Sequence, residues 1–411
     1  MRILQINANY GFGSTGVIVE DIGKMLVRNG QESFVAYQKT NQILENSYKV
    51  GNSFDWKIHA AMSRVLGKQG YYSAWPTKKL IAYIDSIHPD VVHLHNVHSN
   101  YVHLNKLLDY LAKKDIPTVI TMHDCWYFTG KCFHYVDANC DRFITGCGNC
   151  PKKNAPPASM LFDRSASVIK DRYKYISAIP RLRIVGCSEW ICGEARKGIF
   201  KDFELCTIHN GVDTDIFKPY DKQALKKEQH LDGKYIIMGM ANKWTLPSNS
   251  DVLEKTVNAL DENSMLMIVG CDSRQIEYLD RYKEKVLKIG FVHDRQRLGE
   301  YYSMADIFVN TTRADTLPTV NMESICCGTP VITYDSCGSP ELILDGCGLV
   351  VAENDADAIV EAVKKARHMD FSMCSEIGQA AFDKNICYGK YLDVYREVQK
   401  LEKEDNQCYF I

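Results

Sequence analysis

The sequence predicts an α/β protein of two Rossmann-like domains facing each other across an inter-domain cleft, and three observations carry that prediction. The chain of 411 residues is too long for one ordinary hydrophobic core. Short β-rich runs alternate with helical stretches at intervals long enough for βαβ crossovers, which favours parallel sheets. The alternation breaks once, at a hinge near Asn210–Pro219 and the charged, apolar-poor stretch Asp221–Lys234, and then begins again. The first domain therefore reads as residues 1–208 plus a C-terminal helix at about 388–411, with a Cys-rich insertion at about 125–160, and the second as 209–387.

In chain order, the strands of the first series are Ile3–Ala8, Ser33–Tyr37, Val91–Asn96, Thr118–Met122, Arg183–Cys187 and Leu205–His209. The first is followed by Gly11-Phe-Gly-Ser-Thr-Gly16, which opens a helix marked by Val17, Val19, Ile22, Met25 and Leu26. The glycines fall at 11, 13 and 16 without a convincing acid at the end of the second strand, so this is not the G-x-G-x-x-G dinucleotide fingerprint. Two readings stand for Ser14, Thr15 and Gly16: a tight strand-to-helix turn, or a loop whose backbone lets a ligand approach closely. His123 ends the fourth strand and is followed by Asp124 and Trp126. Topology aims a residue there into the cleft, although a histidine in that place also serves as a structural hydrogen-bonder.

The second series begins at Tyr235–Met238 and continues through Leu266–Val269, Lys288–Phe291, Ile307–Asn310, Val331–Tyr334 and Leu349–Val351. The last segment, Tyr388–Lys403, reads as a helix with Tyr391, Val394, Tyr395 and Val398 on one side.

Lys plus Arg number 49 against 51 Asp plus Glu, so no global field favours nucleic acid, and none is expected as a partner. The N-terminal Met1-Arg-Ile-Leu-Gln-Ile-Asn7 is too short and too interrupted for a signal-peptide core. No apolar run reaches the roughly 18 residues a spanning helix needs. The expectation is a cytoplasmic protein. Sixteen cysteines in a reducing compartment then act as small buried hydrophobes or metal ligands rather than disulfides. Cys132, Cys140, Cys147 and Cys150 occupy an insertion with little periodicity, too small to hold itself together by burial alone. Cys147 and Cys150 have the C-x₂-C spacing of zinc ligands, while the interval from Cys132 to Cys140 is wider than a usual knuckle. A structural zinc and scattered free thiols both remain open.

The densest information lies between Asp315 and Gly338, D-T-L-P-T-V-N-M-E-S-I-C-C-G-T-P-V-I-T-Y-D-S-C-G. Pro318 at the first helical position, with Thr316 as cap, predicts a helix through about Cys327. Its first turn would expose the N–H groups of Thr319 and Val320, a cradle for a diphosphate at the positive helix end. Glu323 lies one turn further in, too far along to cap the helix but placed to accept hydrogen bonds from ribose hydroxyls. Gly328 followed by Pro330 ends the helix, and Val331–Tyr334 returns as a buried strand.

Two acids eight positions apart at 315 and 323, then C-G-T-P-V and the loop Gly338-Ser-Pro-Glu341, resemble the donor site of the retaining GT-B glycosyltransferases, of the family 4-like, group 1 kind. The resemblance also covers the N-terminal strand, Gly11–Gly16, Thr121-Met-His-Asp124, Ile208-His-Asn-Gly-Val-Asp213 and Phe217-Lys-Pro219, in order. It implies that Asp315, where the family usually has Glu, holds hydroxyls of the donor sugar. It further implies that His123 contacts the same sugar and that Ser14–Gly16 form a donor or acceptor loop. The resemblance also implies that no catalytic metal is required and that the last helix crosses back to the first domain. Related enzymes place a Lys, often before Gly, a few positions beyond Lys243. This chain has Leu246-Pro-Ser-Asn-Ser250 there, so Lys243 is the expected counter-charge to the diphosphate.

Two stretches mix bases with aromatics: Trp56–Lys79, and Arg164–Arg183 with Lys170, Arg172, Lys174 and Arg181. They read as solvated helix faces or as a basic surface for peripheral contact with the inner face of the cell membrane. The resulting expectation is a retaining glycosyltransferase moving sugar from a UDP- or GDP-sugar to a glycan acceptor, free or lipid-linked, in bacterial surface polysaccharide synthesis. Asp315, His123 and Glu323 form the catalytic set. A catalytically silent nucleotide-sugar binding subunit and a GT-B-fold epimerase are the alternatives.

Overall fold

A computed structural model describes residues 1–401. The chain forms two compact units, one of Met1–His209 with Tyr388–Ile411 and a second of Asn210–Cys387.

The first unit is built on a parallel sheet of seven strands: β1 (Arg2–Tyr10), β2 (Glu32–Thr40), β3 (Ser47–Lys49), β4 (Val91–Leu94), β5 (Thr118–Met122), β6 (Leu182–Gly186) and β7 (Leu205–Thr207), in the order β3-β2-β1-β4-β5-β6-β7. β1 and β4 pair from Ile3↔Val91 to Ile6↔Leu94, and Ile3, Leu4, Ile6, Val91, Val92, Leu94, Val119 and Ile120 are all buried. Unbroken apolar runs are what helices covering both faces of a parallel sheet require. The sequence reading missed β3, which forms a sheet edge and leaves Lys49 exposed.

The second unit has six parallel strands: β8 (Tyr235–Met240), β9 (Ser264–Cys271), β10 (Val286–Gly290), β11 (Ile307–Asn310), β12 (Val331–Tyr334) and β13 (Gly348–Val351), ordered β10-β9-β8-β11-β12-β13. Its core joins Ile237, Leu266, Ile268, Ile307, Val309 and Ile332 from the sheet to Trp244, Leu253 and Ile359 from flanking helices.

The C-terminal stretch differs from the single helix expected over Tyr388–Lys403. It forms two helices, Lys384–Gly389 and Tyr391–Lys400, and positions 402 and 403 lie outside the described residues. Tyr391, Val394, Tyr395 and Val398 are buried, and the second helix packs on β5 and β6 of the first unit. Hydrogen bonds between Tyr395 Oη and His93 Nδ1 (2.8 Å) and between Tyr391 Oη and Thr121 Oγ1 (3.0 Å) fasten it there. No described helix is long and apolar enough to cross a membrane.

Candidate functional site

The strand order of the second unit reverses between β8 and β11. An open parallel sheet offers its ligand crevice beyond the carboxyl ends of the strands at such a point. β8 leads into a short helix, Ala241–Trp244, that carries Lys243. Trp244 anchors this helix by donating its indole N–H to the Val309 carbonyl at 2.9 Å. Gly239 is required here, since a Cβ at that position would stand 2.2 Å from the Trp244 ring nitrogen. Buried Asn249 donates its amide to the Lys243 carbonyl (2.9 Å) and to Thr311 Oγ1 (3.1 Å). That bridge ties the Lys243 turn to the loop after β11, which leads to Asp315.

Two buried side chains hold this second loop. Asn310, at the end of β11, donates to Asn321 Oδ1 at 2.7 Å and accepts the Thr312 N–H at 3.0 Å. Half-buried Asp315 accepts the Leu317 N–H at 3.1 Å, and its carbonyl takes the Gly338 N–H at 3.3 Å. The helix runs Thr319–Cys326 and begins one residue later than the sequence indicated. Pro318 stands at the cap position with extended φ/ψ (−70°, 105°) and no side-chain cap, so Thr316 does not cap. Proline's fixed φ suits both the cap and the first turn, which explains the offset. Thr319 and Val320 occupy the first turn, where amides have no acceptor within their own helix. At the other end Gly328 takes φ 83°, and the Thr329 N–H returns to the Ser324 carbonyl at 3.0 Å, the glycine termination expected.

Glu323 is half-buried one turn in from Thr319 and accepts a 3.3 Å hydrogen bond from the Tyr302 hydroxyl. Burial raises its carboxyl above the usual range, while Arg295 and the Tyr302 bond pull it back in part. Tyr302 is itself buried, with its ring edge-on to Phe308 at 5.4 Å. Tyr302 and Arg295 belong to this site and were not foreseen.

In the first unit the order reverses between β1 and β4. The helix Ser14–Arg28 starts just beyond β1, capped by Gly13 at φ 67°. Ser14 is exposed and Thr15 half-buried, with Asn96 Nδ2 at 3.5 Å from Thr15 Oγ1. Gly16 is buried, and a Cβ there would press to 3.3 Å on the Asn9 backbone, so its glycine seats the helix on β1.

His123 follows β5 and is 8% exposed. Its Nε2 lies 3.0 Å from His95 Nδ1, and His95 Nε2 lies 3.2 Å from Gln5 Oε1. Gln5 uses its amide nitrogen to donate to the Val19 carbonyl at 3.0 Å, so its oxygen is the atom that faces His95. Burial holds His95 well below the normal imidazole range, hence neutral, with its one N–H directed at Gln5. His95 Nδ1 is then an acceptor, and His123 must donate from Nε2. Burial lowers His123 to about 4, against an upward pull from Asp124. At neutral pH His123 therefore carries its proton on Nε2 and a lone pair on Nδ1. Beside it, His98 Nε2 pairs with Asp124 Oδ2 at 3.0 Å. Burial would raise Asp124, but His98 and the Trp126 amide outweigh it and keep the carboxyl low.

Cys132, Cys140, Cys147 and Cys150 are free thiols that line one small cavity in the insertion. The basic stretches divide. Arg172 is buried, donates to the Trp126 and Thr129 carbonyls, and stacks 3.5 Å from the Trp126 ring centre, so it is a core cation and not part of a surface. Arg181 is paired with Asp115 at 3.2 Å. By contrast, helix Ser53–Leu66 leaves Phe54, Ile58, Met62 and Val65 exposed. Met160, Leu161 and Phe162 are exposed beside it, with the Met160 N–H bonded to the Arg64 carbonyl.

Residues 15–216 match the model described as Glycosyltransferase Family 4, and residues 221–384 match Glycosyl transferases group 1. WcaC of Escherichia coli K12, named as a colanic acid biosynthesis glycosyl transferase, is 23% identical over 402 residues, covering 93% of this chain and 92% of its own. Sucrose-phosphate synthase from Thermosynechococcus elongatus superposes with a TM-score of 0.67 at 16% identity, over 97% of this chain and 98% of that one. Anabaena HepE, solved in complex with UDP, gives 0.65 at 13% identity over 96% and 100%.

Proposed function

The chain belongs to the group 1 glycosyltransferases of GT-B fold, and from that membership we propose that it transfers a sugar with retention from a nucleoside diphosphate to a glycan acceptor in bacterial surface polysaccharide synthesis. The observation that carries this reading is that the segments bearing Lys243 and Asp315–Glu323 follow β8 and β11, the two strands between which the order of the second sheet reverses. Glu323 binds the ribose. The Thr319 and Val320 amides and the Lys243 ammonium hold the diphosphate and stabilise the charge it gains as the sugar leaves. Asp315 accepts hydrogen bonds from hydroxyls of the transferred sugar, and in the first unit the Nδ1 lone pair of His123 is an acceptor for a sugar hydroxyl. Ser14–Gly16 lie along the donor or acceptor path. HepE's complex with UDP supports a nucleotide-sugar donor, and WcaC's name supports a polysaccharide product.

A panel of UDP-, GDP- and other activated sugars, assayed for nucleotide release, tests this reading. Sustained release with glycan growth is expected. Isomerised free sugar would point to the epimerase, and saturable binding without turnover to a silent subunit. A helix end contributes only about 0.3–2 kcal/mol to a charge, far below the roughly 8 kcal/mol or more that enzymes supply, so Lys243 is needed. Lys243→Ala is expected to lower kcat about 10- to 100-fold, the worth of one hydrogen bond from a charged donor. An unchanged kcat would remove Lys243 from the mechanism.

A lipid-linked acceptor is favoured by the exposed apolar stripe Phe54, Ile58, Met62 and Val65, which lies on a helix also carrying exposed Lys57 and Arg64. Such a face suits an anionic membrane surface. The protein should float with vesicles rich in anionic lipid, and Phe54→Ser with Ile58→Ser should abolish flotation. Flotation independent of both lipid charge and this pair would refute the surface.

A further inference from the structure

The insertion between β5 and helix Ser165–Ile176 has no strand among its described residues, only short 3₁₀ turns at Cys125–Phe128 and Val136–Ala138. Something other than a sheet must fix it. Four of its five cysteines, Cys132, Cys140, Cys147 and Cys150, line a cavity of about 20 Å³, room for a single water, with Tyr135, Phe143 and Pro151 also on its wall. Cys132 and Cys150 lie close enough to interact electrostatically, as Cys147 does with both Cys140 and Cys150. The loop around Cys147 is wound tightly: Gly146, Cys147, Gly148 and Asn149 all take positive φ, at 110°, 58°, 102° and 47°. Asn149 adopts the left-handed region readily, but Cys147 does not, and its conformation persists only where the surroundings impose it. The Gly130 N–H donates to Cys147 Sγ at 3.2 Å.

We propose that Cys132, Cys140, Cys147 and Cys150 bind one Zn²⁺ as a closed, structural four-thiolate site. Four soft sulfur ligands select zinc or an iron–sulfur cluster, and the C-x₂-C spacing of Cys147 and Cys150 is that of zinc ligands. Binding converts four thiols to thiolates and releases four protons, leaving a site of net charge −2. Lys131 and Arg172, both buried, lie close enough to act electrostatically on these cysteines and offset that charge. Among the described residues no group of three or more His, Cys, Asp or Glu side chains is placed to hold a metal ion as it stands, so binding requires the four thiols to turn inward. The centre would stiffen the shell behind His123. Phe133, next to Cys132, packs on the His98 ring at 4.6 Å, and its carbonyl accepts the Cys125 N–H at 2.8 Å.

The test uses the full-length protein purified under reducing conditions with zinc supplied. Elemental analysis should find about one zinc per chain, and replacement with Co²⁺ should give the thiolate-to-cobalt absorption of a tetrahedral sulfur site. Cys140→Ser and the pair Cys132→Ser with Cys150→Ser should lose the metal. Zinc well below one equivalent overturns the proposal without recourse to any variant. So does iron with sulfide in its place, or full zinc retention in folded forms of both variants.

Discussion

Replacing Glu323 by alanine is expected to weaken nucleoside diphosphate binding about 100-fold while leaving the protein folded. A carboxylate accepting two ribose hydroxyls makes two charge-assisted hydrogen bonds of about 1.5–3 kcal/mol each, of which water recovers part when the nucleotide is absent. A net loss of about 2.7 kcal/mol is a factor of about 100 in Kd. The fold should survive because the bond from Tyr302 is long, at 3.3 Å, and Tyr302 stays packed against Phe308. One buried hydroxyl left without its acceptor costs about 1–3 kcal/mol. The pH dependence has a definite sign. Burial raises the Glu323 carboxyl, so the binding-competent carboxylate is full only above that raised value, and affinity falls as pH drops through it. The decline starts at a higher pH than for an ordinary carboxyl, near 4.3. Glu323→Gln should lose this pH dependence. Calorimetric titration with the nucleotide decides it, and equal affinity in wild type and Glu323→Ala removes Glu323 from the ribose.

Much of this architecture was legible because parallel strands buried on both faces leave unbroken apolar runs. Thr118–Met122, Ile307–Asn310 and Val331–Tyr334 run over the residues expected. β3 was not legible, since Ser47-Tyr-Lys49 is a three-residue edge with no buried face to mark it. The helix carrying Glu323 announced itself through Pro318 and Gly328, with a one-residue error where proline fits two positions. Arg172 was misplaced among surface bases. The signal against that lay in its helix, where Val168, Ile169, Arg172 and Ile176 share the buried face at helical spacing. Tyr302 and Arg295 meet Glu323 only through tertiary packing, which no local pattern encodes. The same holds for His95, which reaches His123 across adjacent strands, 28 residues along the chain. A trace existed in His93-Leu-His95-Asn-Val-His98, where three histidines interrupt the end of an apolar strand.

His95 supplies the second large effect. If the Val19–Gln5–His95 relay fixes the proton of His123 on Nε2, then His95→Leu removes the acceptor and frees His123 to take the other tautomer, with its N–H on Nδ1. A sugar hydroxyl that donated to Nδ1 would then meet a donor. Leaving a buried donor without its acceptor also costs about 1–3 kcal/mol. His95→Leu is expected to lower kcat about 10- to 100-fold, approaching the effect of His123→Ala, for which loss of a positioned transition-state contact predicts about 100-fold or more. The double variant should be little worse than His123→Ala alone, since both changes disable one device. His95→Asn provides the control: its side-chain oxygen can accept from His123 Nε2 and should restore much of kcat, which a purely packing role would not allow because asparagine fills the site less well. Steady-state kinetics of these variants, with thermal melts to confirm folding, decide the matter. Additive losses in the double variant, or equal defects in His95→Leu and His95→Asn, would reduce His95 to a packing residue and leave the tautomer of His123 without a catalytic consequence.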